Sequence, residues 1–215
     1  MKCPLCESHA AAVFFEKPDA KRGPLKYHKC PDCFLIFLPP SAHLDAVEEK
    51  GRYDQHQNNP DSAGYIQSLQ KLVGPLNAKL NANSYGLDFG CGPQSTLKLL
   101  FEERGHSMDI YDPHYFPDED LLRNRYDFVT CSEVVEHFRN PQKEFATLHS
   151  LLRTQGSCLG IMTQFAEDEK DFRDWWYHRD PTHICFYRKE TFKWIGGWKR
   201  LFVEFSDNNI VILKK

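Results

Sequence analysis

The stretch Gly86-Leu-Asp-Phe-Gly-Cys-Gly-Pro-Gln94 decides how the rest of this chain is read. A short apolar strand ends on an acid, Asp88. The chain then turns on Gly90 and Gly92, the residue type that permits a sharp turn and a close approach of ligand to backbone. Leu97, Leu99, Leu100 and Phe101 predict a helix that stops at Gly105, with N-terminal N–H groups available to an anionic group. A second strand, Met108–Tyr111, leads to Asp112, about twenty residues past the glycines, where a carboxylate can chelate the two hydroxyls of a ribose. Strand, glycine turn, helix, strand, acid describes a nucleoside-binding half-sheet.

The details separate one cofactor class from another. A dinucleotide fingerprint needs a third glycine three residues after the second, but Ser95 stands there, and Pro93 follows Gly92 directly. An acid before the first glycine would repel a pyrophosphate and suits a ligand with a cationic ammonium. Taken together, Leu87-Asp-Phe-Gly-Cys-Gly-Pro93, Tyr111-Asp-Pro113 and Tyr126-Asp-Phe-Val-Thr-Cys-Ser-Glu-Val-Val-Glu-His-Phe138 resemble a class I S-adenosylmethionine-dependent methyltransferase of the type 11/12-like group. The departure from the common pattern is Gln94, where a further glycine is frequent. The resemblance implies a Rossmann-like α/β fold whose sheet is mostly parallel with an antiparallel C-terminal strand. It also implies S-adenosylmethionine as cofactor, with Asp88, Gly90, Gly92, Asp112 and Ser132 as the binding residues.

Methyl transfer requires an aligned acceptor and, for a hydroxyl or carbon acid, removal of a proton. Ligands of an open α/β sheet lie beyond the carboxyl ends of its strands, so the segments after the strands carry the candidates. Glu136-His137 is a pair common in one large methyltransferase subgroup, and His137 is the expected base, on the helix after the strand Asp127–Cys131. His183 is the runner-up. Asp180 and His183 are read as orienting or deprotonating the acceptor, within an aromatic connector of Phe172, Trp175, Trp176, Tyr177 and His178 that can exclude water and stack flat molecules. A structural reading of the same residues, helix packing for Glu136-His137 and edge cover for the tryptophans, stands beside it.

Eight cysteines are present in the 215 residues. Four fall as Cys3-Pro-x-Cys6 and Cys30-Pro-x-Cys33 with 23 residues between the pairs. Two such turns on adjacent hairpins present four thiolates to one tetrahedral Zn²⁺, and the shared proline presets each turn. A structural zinc ion in a ribbon is therefore expected at Cys3, Cys6, Cys30 and Cys33. Cys91, Cys131, Cys158 and Cys185 read as small buried residues.

The chain divides into a zinc ribbon over 1–40, ended by Pro39-Pro40, a helical connector or lid over 41–83, and a cofactor-binding core over 84–215. The ribbon is expected to serve as lid or substrate platform. The connector contains Tyr53, His56 and Asn58, and then a helix capped by Asp61 and kinked or split at Pro75. The interval between Tyr111 and Asp127 leaves the third strand stunted, and a hairpin around Asp207-Asn208-Asn209 closes the sheet. Hydrophobic content of 41% and a net charge of −3 fit an ordinary globular protein with no footprint for nucleic acid or an anionic membrane. A cytoplasmic setting and a small-molecule acceptor, methylated on oxygen or carbon, follow as expectations. Two rival readings are a non-catalytic zinc-ribbon adaptor, favoured by Gln94 and the short third strand, and an RNA methyltransferase, opposed by the charge balance.

Overall fold

The computed structural model describes residues 1–55, 62–167 and 169–215; His56, Asn58 and Asp61 lie outside them. The first half-sheet consists of β4 (Tyr85–Phe89), α3 (Thr96–Glu102) and β5 (Ser107–Tyr111), and is followed by β6 (Phe128–Ser132) and β7 (Cys158–Met162). These four strands pair in parallel, and the C-terminal hairpin of β9 (Phe202–Asp207) and β10 (Ile210–Lys214) adds antiparallel to β7. The resulting order is β5-β4-β6-β7-β10-β9. Among the described residues no strand lies beyond β5: residues 113–127 hold a 3-10 helix, Glu119–Arg123, and take part in two isolated bridges, Asp112 with Phe116 and Tyr126 with Leu152. The antiparallel hairpin and the missing third strand are both as expected.

The central strands are continuous apolar runs because both faces are covered. In β10, Ile210 and Ile212 face one side while Val211 and Leu213 face the other, as the two-residue period of a strand requires. The first side is covered by α2 (Ala63–Asn77) and α3. Leu72 and Leu76 of α2 press on Gly160 of β7, where an added Cβ would lie 2.8–2.9 Å from their methyl carbons. Ser62 stands at the N-cap of α2, and Pro75 sits in its last turn without splitting it. Among the described residues, no helix is long and apolar enough to cross a membrane.

The second side is where the N-terminal residues enter. Strands β1 (Ala12–Lys17), β2 (Leu25–Lys29) and β3 (Ile36–Phe37) form an antiparallel sheet that is completed by β8 (Cys185–Phe186) from the C-terminal half. One hydrophobic cluster runs from Leu5, Tyr27 and Phe37 through Phe172 and Phe186 to Val129 and Ile161. The sequence boundary at residue 40 thus crosses a continuous core.

Candidate active site

A single cavity of about 1110 Å³ opens at the carboxyl ends of β4, β5, β6 and β7. Its first wall is the glycine turn. Gly90 and Gly92 take φ values of 79° and 66°, and the Gly90 and Cys91 amides donate to the Tyr111 carbonyl at 2.8 and 3.2 Å. The Asp112 carboxylate then fastens the turn from the neighbouring strand. Its Oδ2 accepts from Gly92 N at 3.0 Å, and its Oδ1 accepts from the His114 and Tyr115 amides at 2.8 and 3.2 Å. Oδ1 thus accepts twice, Oδ2 keeps a lone-pair site, and Asp112 lines the cavity. Asp88 lies deeper, accepting from Ser95 Oγ at 2.6 Å and Thr130 Oγ1 at 2.7 Å. Burial pushes its carboxyl up to about 6 despite those two hydroxyls. It ties β4 to the start of α3 and to β6, which orders the turn.

Gly90 gives a direct stability test. Its Cβ would meet Val134 Cγ2 at 2.5 Å, whereas Gly105, at φ 82°, has nothing within 4 Å. A left-handed backbone costs a non-glycine residue about 1–2 kcal/mol. Denaturant unfolding of Gly105→Ala is expected to report that cost alone, and Gly90→Ala a clearly larger one. Equal losses would mean that the turn does not pack on Val134.

The opposite wall is built on the segment after β6. Glu133 adopts φ 54°, and a 3-10 turn, Val135–His137, follows; the next helix, α4 (Pro141–Leu151), begins only four residues later. Glu136 and His137 are therefore on a tight turn and not on the helix expected from the sequence. Glu136 is fully buried. Its carboxylate accepts from Thr163 Oγ1 at 3.1 Å and contacts the Tyr177 hydroxyl, which lies 2.9 Å from Glu133 Oε2. Burial raises the carboxyl pKa of both glutamates, and that of Glu136 the further. His137 Nδ1 lies 3.1 Å from the Thr182 carbonyl and His183 Nδ1 2.7 Å from the Tyr177 carbonyl, with the two rings 4.8 Å apart. Ser132, at the end of β6, also lines the cavity.

Asp180 lines the cavity and is engaged by other parts of the chain. Its Oδ2 receives both Arg52 Nε and Nη2 at 3.0 and 2.8 Å, and its Oδ1 receives the Thr182 amide and hydroxyl. Arg52 belongs to α1 (Ala46–Tyr53), capped by Asp45 and burying none of its residues. Ion pairs from Arg52 to Asp180 and from Glu49 to Arg139, each 2.8 Å, hold this helix over the cavity. The lid is thus α1; no residue of 1–40 lines the cavity. The aromatic connector divides likewise. Trp176 and Tyr177 reach the cavity, whereas Phe172 and His178 pack on Phe15 and Tyr27 of the N-terminal sheet. Glu133 and Arg52 also line the cavity, and neither was singled out from the sequence. The one available signal was the three-residue spacing of Glu133 and Glu136.

The four N-terminal cysteines come together. Cys3 and Cys33 Sγ are 3.5 Å apart, Cys6 and Cys30 Sγ 3.4 Å, and all four lie within 4.8 Å of one another. Zinc bonds of 2.3 Å in a tetrahedron call for sulfurs about 3.8 Å apart. The two turns repeat one geometry. Each ends in a left-handed residue, Glu7 or Phe34 at φ 63°, whose amide donates to the carbonyl of Cys3 or Cys30 at 3.0 Å.

Comparison with known proteins agrees with this architecture. A family profile described as "Methyltransferase domain" matches residues 56–197. Ubiquinone biosynthesis O-methyltransferase of Shewanella pealeana is 30% identical over 79 residues, 37% of this chain and 34% of that protein. The enzyme of the same name from Pectobacterium atrosepticum is 28% identical over 116 residues, 47% of this chain and 48% of that one. The chain therefore spans a third to a half of the length of these relatives. Burkholderia thailandensis 1,6-didemethyltoxoflavin-N1-methyltransferase superposes with a TM-score of 0.54 at 14% identity, over 86% of this chain and 97% of that one. A SAM-dependent methyltransferase from Archaeoglobus fulgidus gives 0.52 at 19% identity, over 72% and 95%. The glycine turn and the four parallel strands lie within the residues matched by the family profile, and the chain belongs to the methyltransferase domain family.

Proposed function

We propose that this protein is an S-adenosylmethionine-dependent methyltransferase acting on an oxygen or carbon of a small molecule, with a structural zinc ion in its N-terminal ribbon. One observation carries the reading: a single cavity joins the Gly90–Gly92 turn and Asp112 to His137 and His183. The named relatives, O-methyltransferases of ubiquinone biosynthesis, support an oxygen acceptor. The bound cofactor would supply a methyl group activated on a sulfonium. Asp112 would accept the ribose hydroxyls, and the glycine turn would carry the amino-acid end, held in place from beneath by Asp88. The acceptor would enter beneath α1, beside Trp176 and Tyr177. Its oxygen would meet the histidine cluster, which takes up its proton or its developing charge.

The ribbon's share in this is indirect. Through β3 and β8, and through the Leu38 amide bonded to the Ile184 carbonyl at 2.9 Å, it sets the position of His183. Calorimetry with S-adenosylhomocysteine is the primary test, and an absence of binding would leave only the adaptor reading. Given binding, His137→Ala is expected to keep cofactor affinity and slow S-adenosylhomocysteine formation about 10²- to 10⁴-fold. A variant that only melts earlier would reduce His137 to scaffolding.

A further inference from the structure

A second group of side chains able to ligate a metal, separate from the cysteines, comes together at the far side of the cavity: His137 and His183 line it, and Glu136 is fully buried next to them. We propose that Glu136, His137 and His183 form a divalent-cation site of two imidazoles and one carboxylate, whose open positions face the cavity and take an oxygen of the methyl acceptor. The acceptor clause rests on the methyltransferase reading; the cation site does not.

Four observations carry it. One donor atom from each residue lies within 4.8 Å of the other two, while ligands at 2.0–2.2 Å from a common ion are spaced about 3–4 Å apart. A small inward turn of the side chains closes the difference. Both imidazoles are oriented as ligands usually are. A backbone carbonyl only accepts, so His137 Nδ1–H donates to Thr182 O and His183 Nδ1–H to Tyr177 O. In the neutral ring this puts the lone pair on Nε2, the arrangement that outer-shell carbonyls impose on metal-bound histidine.

The third observation is Glu136 itself. It is 0% exposed, and its carboxylate is met by the Tyr177 and Thr163 hydroxyls and, among the described residues, by no lysine or arginine. A buried carboxylate is paired, neutralised or bound to a metal, and hydroxyl donors are the outer shell expected of a ligating carboxylate. The fourth is rigidity. The Ile184 amide donates to the Glu136 carbonyl at 2.9 Å, so the two ligand segments are tied backbone to backbone. Their spacing does not depend on a flexible loop. A donor set of two nitrogens and one oxygen suits Mn²⁺, Fe²⁺, Co²⁺ or Zn²⁺ better than Mg²⁺ or Ca²⁺, which prefer oxygen throughout. A cation here would stabilise the oxyanion of a bound hydroxyl, which selects an oxygen acceptor over a carbon one and makes His137 a ligand.

The test is titration of the full-length, zinc-loaded protein with Mn²⁺, followed by the electron paramagnetic resonance signal of free Mn²⁺. One Mn²⁺ per chain is expected beyond the ribbon zinc. His183→Ala and the isosteric Glu136→Gln should each weaken it at least about 10-fold. S-adenosylhomocysteine binding, measured on the same samples, verifies that each variant is folded. Should Glu136→Gln fail that check, His183→Ala decides. No binding of Mn²⁺, Co²⁺ or additional Zn²⁺ up to about 1 mM would overturn the site, as would equal affinity in wild type and His183→Ala. Protein that binds Mn²⁺ but not S-adenosylhomocysteine would keep the cation site and sink the methyltransferase reading.

Discussion

Cys30→Ser is expected to release the zinc and to disable the acceptor end of the cavity while leaving the cofactor end largely intact. A closed four-thiolate site contributes roughly 10–16 kcal/mol of binding free energy in small zinc domains, and Cys3, Cys30 and Cys33 lie within the hydrophobic cluster that joins the ribbon to the core. The loss would travel along a defined path. Without the Cys3–Cys6 and Cys30–Cys33 turns, β2 and β3 lose their frame, and β3 is what pairs with Cys185–Phe186. Phe172, Tyr177 and Phe186 would lose their packing against the Tyr27 side, and His183 stands directly before β8. By contrast, the α2 and α3 layer belongs to a separate cluster that no ribbon residue enters, and Asp112 and Gly92 hold each other by a hydrogen bond. Elemental analysis should find about one zinc per chain in the wild type. The variant should show early loss of near-ultraviolet ellipticity and no turnover, yet bind S-adenosylhomocysteine within about tenfold of wild type. A metal-free wild type, or a variant that loses cofactor binding first, would refute this division.

Asp112→Ala is expected to cost about 2–4 kcal/mol of cofactor binding, some 30- to 1000-fold in affinity, through two charge-assisted hydrogen bonds to the ribose. The geometry adds a second prediction. Asp112 accepts from Gly92 N through one oxygen and from His114 and Tyr115 N through the other. An asparagine amide would face one of those N–H groups with its own N–H, so Asp112→Asn should lose nearly as much as the alanine. Calorimetry of both variants provides the check. Retained affinity in Asp112→Asn would mean that the carboxylate is not the ribose acceptor.

Much of this site was legible in local sequence because its demands are local. A turn that needs positive φ at Gly90 and Gly92 admits few residues other than glycine, and an acid at a strand end can meet only what lies beyond that end. The buried strand Cys158–Met162 was read to the residue because a strand covered on both faces has no choice but an apolar run. The short interval after Tyr111 announced a stunted third strand, since it suffices for the one parallel connection from β5 to β6 but not for a further strand and a second crossover. The paired Cys-Pro-x-Cys turns needed only four covalently near thiols.

What stayed hidden depends on residues far apart in the chain meeting in space. Nothing at Ile36–Phe37 indicates that Cys185–Phe186 will complete its sheet, because backbone pairing carries no side-chain signature. The pairing of Asp180 with Arg52 of α1 could not be read locally, nor could the packing of His178 on Phe15 and Tyr27. The burial of Glu136 under Tyr177 was equally invisible, since an acid in sequence looks solvated unless the fold removes its water. Local stereochemistry therefore determined the glycine turn and the acid that fastens it, and long-range packing alone decided which groups form the opposite wall of the cavity.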